Sequence, residues 1–364
     1  MAIQSQLKKR KWLALPIAAS LLLGAAIAPI SMGTVQAEGG SSQSVLQLKP
    51  MKIMVGGKLL NVPAGMATGN ETYVALSFLS KELGLMTNWD AETRTISVSS
   101  KNKTMEMGAG GNYYWINNNR IFGSPPIVRE GTTYLPLRLL LEHMGFAIGY
   151  DAKAKVISIQ AIPENDLKVT SQSFSEESEY GTVDVQYPQI EGFANKDVQS
   201  KINRTLKSKA EAYIQSGQDL LSGYVDFAKE MGDEAPSMTF DVGYTVTYNE
   251  KNKLSLQFFV YEYSGGAHGM YDYQPHNFNL ETGEEITLKE AALGNTNYIR
   301  VINEEIKKQI KAQDLPLLSP FETIQPDQRY YLRGDAIIVF FSLYEYTPYA
   351  AGIPEFSIPL SKLR

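Results

Sequence analysis

Two stretches of this chain repeat each other at a constant offset of 61 residues, and no other feature restricts the fold as strongly. ETYVALSFLSKELGLMTNWDAETRTISV (Glu71 to Val98) aligns without gaps on TTYLPLRLLLEHMGFAIGYDAKAKVISI (Thr132 to Ile159). Thr72/Thr133, Tyr73/Tyr134, Leu76/Leu137, Gly84/Gly145, Asp90/Asp151, Ala91/Ala152 and Ile96/Ile157 coincide. Each copy reads as a short strand, a helix and a returning strand pair. Leu76, Leu79 and Leu83 share one helical face, as do Leu137, Leu140 and Met144. Gly84 and Gly145 supply the left-handed helix stop. Asp90 and Asp151 sit at the turn before the last strand, where a carboxylate accepts local backbone bonds. A hairpin precedes each copy, Ile53 to Lys58 and Tyr114 to Arg120. Such a unit cannot bury its apolar face alone. The copies, about 45–100 and 112–160, are therefore expected to pair into one small α+β domain over 45–161.

The chain of 364 residues is longer than one compact domain usually is. Ile162-Pro163-Glu164-Asn165-Asp166 reads as a linker. Beyond it, strands are expected at Leu167 to Phe174 and Thr182 to Tyr187, the latter ended by Pro188. A long helix follows from Asn195 to Met231, with Val198, Ile202, Leu206, Ala210, Tyr213, Leu221, Tyr224 and Phe227 at helical spacing. Gly217 and Gly223 are its weak points. Along Thr239 to Tyr248, Phe240, Val242, Tyr244, Val246 and Tyr248 alternate with polar residues, the period of a strand. Leu254, Leu256, Phe258 and Val260 do the same. Ser264-Gly265-Gly266 breaks that run, and Tyr271 to Leu280 resumes as strand. Thr287-Leu288-Lys289-Glu290 is a capping box. A helix with Tyr298, Ile299, Ile302, Ile306 and Ile310 on one side follows. Strands at Ala336 to Tyr346 and Glu355 to Pro359 close a second unit, 167–364. The whole is expected to be α+β: a two-repeat domain, then an antiparallel sheet with helices.

Lys8 to Lys11 form a basic n-region, Trp12 to Ile30 is apolar, and Val35-Gln36-Ala37 is a small-residue cleavage site. Residues 1–37 thus read as a cleaved signal peptide. The competing reading is a retained anchor, since 19 apolar residues just span a bilayer. With cleavage the product is secreted or wall-associated and leaves the membrane. The absence of cysteine removes disulfides, thiolate catalysis and a lipid-modified cysteine anchor. The net charge is −5 for the whole chain and −9 without residues 1–37. That balance disfavours nucleic acid and anionic membranes, and favours cationic partners.

The repeat pattern, a hairpin followed by TYLPLR and a terminal Gly…Tyr-Asp, resembles the copper amine oxidase N-terminal, or stalk, domain of exported Gram-positive proteins. That stalk implies neither copper nor a redox cofactor. The second unit carries SGGAHG (Ser264 to Gly269), NFNLETG (Asn277 to Gly283), YPQIEGFANKDVQSKIN and YEYTPYAAGIPEFSIP. Together these resemble the extracytoplasmic domain of the lysozyme-sensing anti-sigma factor and of some peptidoglycan deacetylases. The resemblance implies an exported binding protein whose partner is a lysozyme-like protein, with peptidoglycan or wall polysaccharide as the alternative. The anti-sigma factor's cytoplasmic sigma-binding segment has no counterpart in this sequence, so binding without signalling is implied. The deacetylases' metal site belongs to a separate catalytic domain whose motifs are not matched, so no enzymatic activity and no cofactor are expected.

No G-x-S-x-G, H-E-x-x-H or C-x-x-C motif occurs. Ser264 and His268 are spaced four apart in a glycine loop without an orienting acid, and a catalytic pair is not expected. His268, His276 and Asp272 are a weak metal set. His143 replaces Glu82 of the first copy and reads as a solvated helix residue. Tyrosine offers rigid area with a polar tip for protein or sugar contacts. The candidate binding residues, taken from loop position, are Ser264, Gly265, Gly266, His268, Tyr346, Pro348 and Tyr349.

Overall fold

The computed structural model describes residues 46–67, 71–100, 103–109, 111, 113–116 and 119–364. The expected signal peptide, 1–37, and residues 117–118 within the expected second hairpin lie outside them. The repeat half is built from β1 (Gln47–Val55), β2 (Lys58–Met66), β3 (Thr72–Ala75), α1 (Leu76–Leu83), β4 (Met86–Asp90) and β5 (Thr95–Ser99). It continues through β6 (Thr104–Gly108), β7 (Tyr113–Ile116), β8 (Asn119–Phe122), β9 (Ile127–Arg129), β10 (Thr132–Pro136), α2 (Leu137–His143), β11 (Phe146–Asp151) and β12 (Val156–Ala161).

These strands form two sheets, β11-β12-β1-β2-β3-β10-β9 and β4-β5-β6-β7-β8. β3 and β10 pair antiparallel, with Val74 opposite its own repeat equivalent Leu135. Equivalent residues can oppose each other only on a local two-fold axis, so the copies are related by a pseudo-dyad through that pair. Each sheet mixes both copies. The returning pair of the second copy reaches back to the first hairpin, β12 lying parallel to β1. The returning pair of the first copy joins the second hairpin through the interposed β6. Ile53, Leu79, Ile96, Tyr114, Leu140 and Ile159 meet in the shared core. Both turns repeat in detail: Asp90 Oδ1 accepts from the N–H of Glu92 (2.9 Å) and Thr93 (3.1 Å), and Asp151 Oδ1 from Lys153 and Ala154 (both 2.9 Å).

The second half comprises β13 (Lys168–Glu177), β14 (Gly181–Glu191), α3 (Lys196–Met231), β15 (Met238–Glu250), β16 (Lys253–Tyr263) and β17 (Met270–Asn279). α4 (Leu288–Ala291), α5 (Tyr298–Gln313), β18 (Tyr330–Arg333), β19 (Ala336–Phe340) and β20 (Glu355–Pro359) complete it. The sheet β13-β14-β15-β16-β17 is antiparallel except where β14 meets β15 across the α3 crossover. α3 covers one face of this sheet. The sheet β18-β19-β20 lies against the other, with α5 outside it. The architecture is α+β throughout. Ser255 bolts the two sheets together: its hydroxyl accepts from the Leu332 N–H (3.1 Å) and donates to Asn277 Oδ1 (2.7 Å).

Several local expectations are revised. β14 runs through Pro188, which pairs with Ser171. The N–H of Ile190, two residues on, reaches Asn203 Oδ1 (2.8 Å) on α3, so the missing proline N–H faces a side that β15 has already left. Gly217 is no weak point, because α3 approaches the sheet there so closely that a Cβ would lie 2.6 Å from Val183 Cγ1. Phe227 is exposed and Ala228 takes the buried place. A bulge between Val246 and Tyr248 shifts the register of β15 and turns Tyr248 to the opposite face, into the core around α5. The expected strand Ala336 to Tyr346 stops at Phe340, and β18 precedes it.

The segment 162–166 is pinned, not a loose linker. Asn165 Nδ2 donates to Asn249 Oδ1 (2.9 Å) and Lys253 O (3.0 Å), and its Oδ1 accepts from the Asn252 N–H (2.9 Å). Lys103, only 7% exposed, pairs with Glu164 at 3.3 Å. His143 also differs from expectation. Its ring is half-buried, Nδ1 contacts Leu139 O at 2.8 Å, and burial lowers its pKa, with Arg333 and Lys103 adding to the effect.

Candidate functional site: an aromatic platform at the β16–β17 loop

Gly265 and Gly266, with φ of 114° and 94°, let the chain leave β16 along a path that side chains rarely allow. Gly269 then passes under the Tyr261 ring, where a Cβ would lie 2.4 Å from its carbons. Between these constraints His268 projects outward. Its ring stacks on Tyr349 with centroids 3.7 Å apart and planes at 18°. Tyr349 Oη donates to Gly269 O (2.8 Å), which ties the loop to the 3-10 turn Tyr349–Ala351 begun by Pro348. His268 Nδ1 lies 3.1 Å from Gly269 O, and Nε2 lies 3.3 Å from Tyr344 Oη. Nδ1–H donating to the carbonyl, with Nε2 accepting from the phenol, satisfies both contacts. Tyr271 meets Tyr349 edge-on at 6.0 Å.

The rings rest on a braced floor. Phe259, Tyr271 and Tyr273 pack together, and Tyr273 meets Phe340. Burial pushes the Tyr273 phenol well above its ordinary range, so it stays protonated. Arg329 clamps the edge of β17 to the exit of β19. It donates to Asp272 Oδ2 (2.7 Å), Tyr273 O (2.8 Å) and Ser342 Oγ, with its guanidinium 5.1 Å from the Phe340 ring centroid. The result is a braced cluster in which His268 and Tyr344 are exposed and Tyr271, Tyr273 and Tyr349 are half-buried, an arrangement suited to recognition by contact.

Of the seven candidate residues, the structure brings together Gly265, Gly266, His268, Pro348 and Tyr349. Ser264 is exposed beside them. Tyr346 is placed elsewhere: its ring packs on Phe341 (4.7 Å) and Phe321 (5.6 Å) in the α5 core. Tyr344, with φ of 64° and 46% exposed, holds the surface position instead. Both nitrogens of His268 are engaged by groups other than Ser264, so no nucleophile–base pair is assembled there. His276 lies along β17, opposite Leu256, with Nδ1 2.6 Å from Glu285 Oε1. Six strand residues beyond Met270 place it roughly 20 Å from the loop. The suggested His268–His276 metal pair therefore does not form. Among the described residues no cluster of three His, Asp or Glu side chains is arranged to hold a metal ion. Shallow depressions beside α5 and at the start of α3 contain none of the platform residues. Tyr271 and Tyr344 belong to the tyrosines that recur around both loops, although neither is among the seven candidate residues; Arg329 carries no sequence signal of its own.

Comparison with known proteins matches three family models in order. Residues 32–159 match the copper amine oxidase N-terminal domain, 174–271 deacetylase PdaC, and 290–361 DUF3298, a protein family of unknown function. The SGGAHG loop falls in the second match, and Tyr344 to Gly352 in the third. The anti-sigma-V factor RsiV of Bacillus subtilis (strain 168) is 25% identical over 225 residues, covering 58% of this chain and 74% of that protein. Two solved DUF3298 structures are also similar. One, from Bacteroides fragilis NCTC 9343, has 17% identity and a TM-score of 0.42, covering 54% of this chain and 92% of its own. The other, from Pseudomonas aeruginosa PAO1, has 16% identity and a TM-score of 0.37, covering 55% and 94%. No helix among the described residues is long and apolar enough to cross a membrane. The chain thus matches, in order, the models of a copper amine oxidase N-terminal domain, deacetylase PdaC and DUF3298, and over part of its length is similar to an anti-sigma factor.

Proposed function

We propose that this is an exported, non-enzymatic binding protein of the cell envelope, in which the repeat domain is a stalk and the ring platform recognises a lysozyme-like protein. Similarity to an anti-sigma factor supports an extracytoplasmic sensing or binding role. The observation that carries the reading is the stack of exposed His268 on half-buried Tyr349, bordered by exposed Tyr344 and held by Gly269 and Arg329. Rigid aromatic residues at a surface lose little entropy on contact and dominate binding energies. The charge of −9 without the signal segment suits a cationic partner by steering its approach.

The test is capture of egg-white lysozyme by the purified protein, compared with Tyr349→Ala. Salt-sensitive binding that is lost in the variant supports the reading, and absence of binding sinks it. A second reading, recognition of peptidoglycan or wall polysaccharide, is favoured by the same flat rings, since sugars stack on them. Retention on purified sacculi without retention of lysozyme selects it. Release of acetate from wall fragments, abolished by His268→Ala, would contradict a non-enzymatic role.

A further inference from the structure

We propose that the C-terminal flank of α3 is a second contact surface for the partner of the platform, and that this partner presents a basic protein surface with apolar side chains at its centre. The inference rests on the protein-binding reading above. On α3, Leu221, Tyr224 and Ala228 mark the buried line. Phe227 stands three residues after Tyr224 and Met231 three after Ala228, so both project from one flank of that line. They are 47% and 43% exposed.

The direction of this flank follows from its neighbours. The Phe227 ring meets Tyr224 at 5.5 Å, Tyr224 Oη donates to Pro236 O, and Gly265 lies against the Pro236 ring. The apolar pair therefore borders the β16–β17 loop from the α3 side, while His268 and Tyr349 border it from the other. Lys229 projects from the opposite flank, its ammonium 6.0 Å from the centroid of the Tyr180 ring on the β13–β14 hairpin. Gly223 adds an open stretch of backbone, with nothing within 4 Å of where a Cβ would stand.

Charge identifies the occupant. Asp226 and Glu230 flank the apolar pair on its solvent side, Glu234 follows in the next turn, and Glu262 faces the helix side of β16 opposite Phe240. All four are exposed, and among the described residues none is held in an ion pair. Exposed apolar side chains inside an acidic rim complement a partner with a basic rim. An anionic lipid surface is repelled by such a rim. A second copy of this chain would set acid against acid.

The experiment measures egg-white lysozyme binding to the full protein at low and raised salt. Three variants are compared: Phe227→Ser/Met231→Ser, Glu230→Gln/Glu262→Gln, and Leu293→Ser, an apolar residue 48% exposed outside this surface. The apolar double variant is expected to bind about tenfold more weakly. The acid double variant should associate more slowly, with a flatter salt dependence. Leu293→Ser should match the unmodified protein, and unchanged melting curves establish that all variants fold. Wild-type affinity and salt dependence in both double variants, with binding lost in Tyr349→Ala, overturn this inference and leave the platform reading standing. No binding by the unmodified protein overturns both.

Discussion

Replacing Gly217 and Gly223 separately by alanine sets two opposed effects against each other on one helix. Alanine stabilises a helix interior by about 1 kcal/mol relative to glycine, and this gain applies equally at both positions. At Gly223 the new methyl meets nothing within 4 Å, so the gain is kept. At Gly217 it would stand 2.6 Å from Val183 Cγ1 and 2.7 Å from Phe240 Cδ1. Both neighbours are buried, so α3 must lift from the sheet or the side chains must leave their rotamers. Overpacking of this kind costs roughly 1–3 kcal/mol, and contacts this short place the cost near the top. The net expectation is a loss of about 2 kcal/mol for Gly217→Ala and a gain of about 1 kcal/mol for Gly223→Ala. In a domain of this size that is a fall of roughly 4–8 °C in Tm against a rise of roughly 2–4 °C. Urea titration with thermal melting measures both. Equal stabilisation by the two substitutions would refute the close approach of α3 to β14 and β15.

Ser255→Ala should destabilise the second domain by about 2–3 kcal/mol in urea titration, since it strands the Leu332 N–H and Asn277 Oδ1 between sheets. Lys103→Ala removes the ion pair that holds Glu164 against the repeat domain, and limited proteolysis should then cut within 162–166 faster than in the unmodified protein. The hydrogen bond from His276 holds the Glu285 carboxyl below its ordinary value of 4.5. A depressed carboxylate pKa contributes stability that is complete above that ordinary value and lost as pH falls through the depressed one. His276→Gln should move the Glu285 titration seen by NMR upward, and an unmoved titration would show that the contact is not formed in solution.

Features set by local chemistry were legible in the sequence. The repeat, its glycine helix stops and its Asp turns depend on residues a few positions apart, and the limits of α3 follow from Asn195 and an unbroken apolar period. The arrangement of the repeats was not legible. Nothing local tells β12 to lie parallel to β1 in place of the interposed strand found in the other sheet. Period-two reasoning also fails where one residue breaks the alternation. The bulge before Tyr248 carries that ring to the other core. The left-handed turn at Tyr344 exchanges the fates of Tyr344 and Tyr346, placing the first outside and the second inside. The SGGAHG loop was legible from its glycines, its histidine, the tyrosines beside it and its family resemblance. Its pairing with Tyr349, 80 residues away, and the bracing by Arg329 are tertiary facts that no spacing expresses.

On the proposed reading a partner protein is held at the rings around the β16–β17 loop. Amide hydrogen exchange of the full protein, with and without egg-white lysozyme, tests it most directly. Slower exchange at 264–270 and 344–352, while β1 to β12 exchange as before, is the predicted result. An unchanged loop, or protection confined to the repeat domain, would contradict it.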